Sequence, residues 1–382
     1  MTAHEVRSAR AYLLRVAEPP APALAALVAE CGPVRAANLV REGRVPGAVS
    51  RETEARRRVD RAETELAAAA ALGARLVVPE DDEWPAWPFA AFELAAARGV
   101  DWAVPPLGLW VRGPGRLDEL AASAVAVVGA RACTSYGEHV ATELGYELVG
   151  HGVTVVSGAA YGIDGAAHRG ALAAGGPTVA LVACGVDYSY PSGHAALLGR
   201  IAERNAVVSE YALGTPPARH RFLVRNRLIA ALSDGSVVVE AAARSGARNT
   251  ASAARELGRM VMAVPGPVTS AMSRGCNTMI HDGVAVCVDG ARQVVEAVGR
   301  LGADLGQVTA APPRDTDGLD PLALRVHEAL RPRSAHSVEW LARESGVPLA
   351  MVRGLLPMLE ERGLAQRTVS GWRLAPRRLR PV

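Results

Sequence analysis

The chain contains no lysine: all of its basic charge is carried by 42 arginines in 382 residues. A phosphate-binding loop of the G-x-x-x-x-G-K-[ST] kind needs its lysine on the β/γ-phosphates, and Schiff-base catalysis needs an amine. Both mechanisms are therefore excluded. Cysteine is scarce and scattered. Cys31, Cys133, Cys184, Cys276 and Cys287 form no C-x-x-C pair and have no histidine cluster at ligand spacing. No structural metal, disulfide framework or cofactor is expected, which suits a reducing cytosol. No stretch approaches the ~18 uninterrupted apolar residues of a membrane span, and the N-terminal MTAHEVRSARAYLL is charged where a signal peptide needs an apolar core. The expectation is a soluble, cytoplasmic protein with no membrane partner.

The charge that is present is unevenly placed. Net charge is only +3, yet nine arginines face three acids (Asp234, Glu240, Glu256) between Ala218 and Arg274. A genome rich in G and C explains arginine in place of lysine but not this gathering, which is the footprint of an anion site. At its centre is RHRFLVRNRLIAALSD, residues 219–234, which holds one of only three phenylalanines.

The length implies two or three domains. Residues 1–75 read as an N-terminal helical, helix-loop-helix domain, through AYLLRVA, ALAALVAECG and the charged RETEARRRVDRAETELAAAAALG. Residues 76–123 are rich in Pro and Trp and suggest irregular packing. From Ala124 the texture changes. AVAVVGA, VTVVSG, TVALVACG, AVVSEY, SVVVEA and MVMAVPG are short buried-strand runs separated by helical segments. That alternation predicts an α/β fold, an extended Rossmann-like doubly wound parallel sheet over 76–301, with strand-end loops lining one crevice. A Pro/Gly/Asp linker (302–320) leads to a C-terminal winged-helix-like domain (321–376) and a basic tail (377–382). The third helix of that domain offers only Arg353 and Arg362 against Glu360 and Glu361, a poor set for reading the major groove.

Four loops should meet at the crevice. VVGARACTSYG lacks G-x-G-x-x-G spacing, so a dinucleotide is not expected there. It leaves a turn at a helix N-terminus, with Arg131 beside it, that suits a phosphate. SGAAYGIDGAAHRGAL brings Ser157, Gly158 and Gly162, then Asp164 and His168 on one helical face. No nucleophile motif accompanies that pair, so it is read as structural, the two bonding to each other or bracing the loop, and no catalytic residue is assigned. In RHRFLVRNRL, a helix beginning near Val224 places Arg225 and Arg227 at its N-terminal end, with Arg219, Arg221 and Phe222 on the approach. Phe222 is either a core anchor or a face on which an unstacked base lies. VEAAARSGARNTASAARELG adds Ser245, Gly246, Arg248 and Thr250 at another helix start.

Taken together, VVGARACTSYG, SGAAYGIDGAAHRGAL, VACGVDYSYP, VVSEYALGTPPARHRFLVRNRLIAALSD, VVVEAAARSGARNTASAARELGR, VMAVPGPV and SRGCNTMIHDGV make residues 80–299 resemble the DNA-processing protein A family (DprA, also called Smf). The resemblance implies a non-enzymatic single-stranded DNA binder that protects incoming DNA and loads the RecA recombinase during natural transformation. It also implies a DNA pocket of Arg131, Ser157, Gly158, Arg219, Arg221, Phe222, Arg225, Asn226, Arg227, Ser245, Gly246, Arg248 and Thr250, and a homodimer contact around Asn277, Ile280 and Val286. Two departures stand out. Arg248 and Asn249 occupy positions where the family more often has an apolar pair, and its lysines are arginines here.

Two other readings stay open on the residues. One is a nucleotide phosphoribohydrolase-type enzyme using Asp164 or Glu240, although VPGPVTSAM lacks the glutamate such a loop needs. The other is a regulator that binds DNA through residues 321–376.

Overall fold

A computed structural model describes residues 2–243, 245–299 and 316–376. The chain divides into two units, residues 1–306 and 307–382, and each is taken by itself. Most of the expected linker (residues 302–315) and the basic tail lie outside the described residues.

The first unit opens with five helices, α1 (Ala3–Val16), α2 (Pro22–Cys31), α3 (Pro33–Glu42), α4 (Gly47–Thr53) and α5 (Ala62–Ala71). A capping box starts α1, with Thr2 accepting from the Glu5 amide and Glu5 from that of Thr2. The charged run 51–73 is not continuously helical. It breaks between Thr53 and Ala62, where Tyr12 donates to the Arg57 carbonyl (2.7 Å) and Arg56 pairs with Glu18 (2.9 Å). These tertiary bonds override a local helical preference that is weak in any case.

The stretch expected to be irregular holds β1 (Ala74–Val77), α6 (Ala86–Ala96), β2 (Leu109–Arg112) and the single turn α7 (Leu117–Leu120). The boundary expected at 75/76 thus falls inside a strand. Pairing makes both strands: β2 lies against the distant β6, and β1 lies against β2. The core of the helices runs on to Leu76 and Trp110 of these strands.

Then follow β3 (Ala124–Val128), α8 (Ser135–Gly150), β4 (Thr154–Ser157), α9 (Ile163–Ala173), β5 (Thr178–Leu181), α10 (Ala195–Arg204), β6 (Ala206–Ser209), α11 (Arg219–Ala231), β7 (Gly235–Val238), α12 (Ala247–Glu256), β8 (Met260–Ala263), α13 (Arg274–His281), β9 (Val286–Cys287) and α14 (Ala291–Val298). All six strands expected from the sequence are present. The sheet runs β1-β2-β6-β5-β4-β3-β7-β8-β9, parallel from β6 to β9, with β2 antiparallel to β6 and β1 antiparallel to β2. It is the doubly wound Rossmann-like sheet, extended at one edge by an antiparallel pair. One face is covered by α8, α9 and α14, the other by α6, α11, α12 and α13. Strand order reverses between β3 and β7, and at such a switch point the loops leaving the strands diverge and open a crevice.

The second unit contains α15 (Pro321–Ala329), α16 (Val338–Ser345), α17 (Leu349–Glu361) and the hairpin β10 (Ala365–Thr368) and β11 (Gly371–Leu374). Its core includes Val326, Leu341, Val352, Leu356, Leu359 and Trp372. This is a winged-helix-like module, and Arg353 of its third helix already faces Glu339 at 3.4 Å. No helix among the described residues is long and apolar enough to cross a membrane.

Candidate nucleic-acid interface

A cavity of about 320 Å³ occupies the switch point, within the ordinary range for ligand pockets. The end of β3 (Val128, Gly129), the loop Ala130–Ala132, Asp164 of α9, Phe222, Arg225, Asn226 and Ile229 of α11, and Ser245, Gly246, Ala247 and Thr250 at the start of α12 line it. A shallower notch of about 40 Å³ adjoins it and shares Arg131, Ala160 and Phe222.

The way α11 presents its side chains departs from expectation. Following Pro216 and Pro217, the helix starts at Arg219, not near Val224. On it, Phe222, Arg225, Asn226 and Ile229 stand at i, i+3, i+4 and i+7 and share the cavity face. Arg227, two residues from Arg225, turns the opposite way. It is 4% exposed and chelates Glu210 through one nitrogen at 2.7 and 2.8 Å, with the Phe92 ring 5.2 Å from its guanidinium carbon. Arg227 is therefore not a residue of this pocket. Nor is Arg221, which bonds Glu18 at 2.6 Å and the Pro216 carbonyl at 2.5 Å. Arg219 is exposed and makes no ion pair among the described residues.

Arg225 is a floor, not a rim. It is buried and donates to the carbonyls of Gly158 (2.8 Å) and Leu181, at the ends of β4 and β5. Burial lowers its pKa, against the field of Asp164, which raises it. Asp164 is buried too, and burial pushes its carboxyl upward while Arg225 and the amides of Ala160, Gly158 and Gly129 hold it down. Its Oδ2 accepts from Gly158 at 3.1 Å. Asp164 and His168 thus brace separate strand ends. The His168 Nδ1 lies 2.7 Å from the Thr178 hydroxyl, which itself donates to Val155, so Nδ1 carries the imidazole proton. Ser157 does not reach the cavity, because its hydroxyl ties β4 to the Val127 carbonyl at 2.6 Å. Gly158 lines the notch.

Three helices aim their N-termini at the crevice, and two of these ends are already filled. The buried Glu240, at the end of β7, accepts from the Thr134 amide (2.8 Å) and hydroxyl (2.6 Å) at the head of α8. The turn in VVGARACTSYG, expected to hold a phosphate, therefore holds the chain's own carboxylate. Asp164 occupies the first turn of α9. Only α12 has neither an acid in its first turn nor a carboxylate against its amides among the described residues, with Ser245 Oγ capping Ala247 at 3.3 Å. Arg248 bonds the Ala243 carbonyl at 2.7 Å and is exposed. Asn249 accepts from the Asn226 amide at 3.1 Å, so one member of the unusual Arg-Asn pair ties α12 to α11. On the rim, Arg131 makes no ion pair among the described residues, and its guanidinium sits 4.9 Å over the Phe222 ring.

Gly162 holds this rim in place. Its φ is +75°, and a Cβ there would lie 2.2 Å from the Ala130 carbonyl oxygen and 2.6 Å from that of Arg131. Gly162→Ala is expected to cost about 2–4 kcal/mol from the left-handed backbone and the forced displacement together. Denaturant unfolding measures it, and a loss below ~1 kcal/mol would show that the loop yields freely.

Residues 75–299 match the model of a family described as DNA recombination-mediator protein A. The chain belongs to that family. A Mycobacterium tuberculosis protein described as a DNA processing protein, DprA, is 51% identical over 367 residues, covering 95% of this chain and 93% of the relative. Protein Smf of Escherichia coli is 42% identical over 183 residues, 48% of this chain and 49% of Smf. The X-ray structure of DprA from Streptococcus pneumoniae aligns with a TM-score of 0.58 at 28% identity, covering 77% of this chain and 95% of that one. This family membership makes the chain a DNA-processing protein of the DprA/Smf type.

Of the residues expected at a homodimer contact, Val286 lies exposed in the edge strand β9 and Ile280 is half-buried against the core. Asn277 spends its amide on Gly266, at 3.2 and 3.0 Å. Sequence reasoning missed Glu210 and Glu18, which pair with arginines of the rich segment, and it weighed Glu240 as a catalytic acid where the structure uses it to fill a helix end. A signal was available for Glu210 and for the role of Glu240, since VVSEY and VVVEA both end their strands in glutamate at the crevice end of the sheet.

Proposed function

We propose that this crevice binds single-stranded DNA without strong sequence preference. In this reading the chain acts as a homodimeric recombination mediator that shields incoming strands and loads a RecA recombinase on them during natural transformation, with no chemical step of its own. The observation that carries the reading is that the head of α12 at Gly246–Ala247 and Arg131, which is held over Phe222, line one cavity of about 320 Å³, and neither meets a carboxylate among the described residues. Phosphates go to the amides and guanidinium, and an unstacked base has an aromatic face beside them. Family membership supports the mediator role. The enzyme reading loses its two acids, because Glu240 is engaged by Thr134 and Asp164 by backbone amides.

Binding of a fluorescent oligo-dT across a salt series tests the proposal. Arg131→Ala is expected to weaken binding about tenfold or more, with a log–log salt slope shallower by about 0.7. Deleting residues 321–376 should leave most of the binding. Unchanged affinity and slope in Arg131→Ala, or a preference for duplex, would move the site elsewhere.

A further inference from the structure

The 40 Å³ notch beside the main cavity is lined by Gly158, Ala160, Val182, Ala183 and Pro191, and its aromatic members are Tyr161, Tyr190 and Phe222. Two of these rings are costly where they stand. Tyr161 is 47% and Tyr190 40% exposed, on a chain whose aromatic content is 4%. Neither is loose. The Tyr161 hydroxyl accepts from the Gly193 amide at 3.2 Å, and its ring meets His194 edge-on at 4.8 Å. Tyr190 lies tilted against Phe222 at 5.4 Å. The rings are thus fixed by packing while large parts of their surfaces stay open to solvent, the arrangement that lowers the entropy cost of receiving a flat ligand.

Phe222 belongs to both hollows, and so does Arg131, whose guanidinium lies over the Phe222 ring. We propose that the notch is a second nucleobase subsite, in which Tyr161 and Tyr190 take the base next to the one in the main cavity, with Phe222 the partition between neighbours and Arg131 beside the phosphate that joins them. The proposal rests on the single-strand reading and deepens it to a two-nucleotide step. At 40 Å³ the notch is too small to enclose a base, so the base lies across its rim against the tyrosine rings. A free mononucleotide has no second base to offer, and a duplex keeps its bases stacked on one another. An unstacked oligonucleotide is the ligand whose chemistry fits, because rings alternate with phosphates along it and the two hollows share Arg131 between them.

The test compares oligo-dT with an abasic backbone of equal length, which carries the same charge without bases. Tyr161→Leu/Tyr190→Leu is expected to lose roughly 5- to 150-fold on oligo-dT, with an unchanged salt slope and no loss on the abasic backbone. Tyr161→Phe/Tyr190→Phe, which keeps the rings, should bind oligo-dT like the wild type. A 5-iododeoxyuridine oligomer should photocrosslink to peptides carrying Tyr161 or Tyr190. Equal losses on both oligomers, no loss on either, or crosslinks confined to other peptides would overturn the subsite. Arg131→Ala in the same assay separates the two levels. If it loses affinity while the tyrosine variants do not, only the notch fails; if it loses none, the crevice reading fails with it.

Discussion

Arg227→Ala is expected to destabilise the first unit by about 3–5 kcal/mol, a large part of the 5–15 kcal/mol that holds a typical domain together. The reason lies in the partner left behind. Glu210 is 4% exposed, and both its oxygens are bound by one guanidinium nitrogen. Burial already pushes the Glu210 carboxyl upward, and Arg227 is what opposes that push. Removing the arginine leaves a buried acid among Leu13, Leu14, Ala17 and Pro105. Removing both charges is a different matter. Arg227→Met combined with Glu210→Leu is expected to restore wild-type stability or exceed it, because two desolvation costs vanish together. Denaturant midpoints of the single and double variants decide this. A single variant as stable as the wild type would mean that Glu210 finds water or another partner. A DNA-binding defect in Arg227→Ala should accordingly follow the unfolded fraction, whereas one in Arg131→Ala should persist in fully folded protein.

Acid should act on this fold through His168. Burial lowers its pKa to about 3, whereas an unfolded histidine takes its proton near 6.5. Between those values the unfolded chain binds a proton that the folded chain refuses. The contribution is therefore intact above pH ~6.5 and is lost as pH falls, at about 1.4 kcal/mol per unit, until the folded state titrates near pH 3. The cause is local: Nδ1 is committed to Thr178, and Nε2 is buried without a hydrogen-bond partner among the described residues, so a second proton would bring an unsolvated charge into the layer between α9 and the sheet. Unfolding free energies of wild type and His168→Leu, measured from pH 7 to 4, check it. The advantage of the wild type should narrow by about 1.4 kcal/mol per unit below pH 6. Parallel curves would show that the imidazole charges without resistance.

The parallel strands were legible because each is a Val- and Ala-rich run closed by Gly, Ser or Glu, a pattern that burial on both faces imposes. The antiparallel strands β1 and β2 were not, since ARLV and LWVR lack that Val/Ala run, and β2 owes its strand state to pairing with β6 across about a hundred residues of chain. Much of the crevice was legible as well: Arg131, Phe222, Arg225, Asn226, Ser245, Gly246 and Thr250 all line one cavity. What the pattern hid was direction. Arg225 and Arg227 look alike in RNR, yet a helix sends residues two apart to opposite sides, and once α11 begins at Arg219 one faces the strand ends and the other the N-terminal helices. Partners hid the rest, because an arginine's availability depends on acids such as Glu18 and Glu210 that lie far off in sequence or across a loop.

The filling of α8 by Glu240 and of α9 by Asp164 makes the crevice unlike itself from end to end. One extremity offers the head of α12, with no carboxylate against it among the described residues; the other offers tyrosine rings. A nucleic acid strand also has two unlike ends, so on the single-strand reading proposed above a strand taken into this crevice lies with one heading, 5′ to 3′.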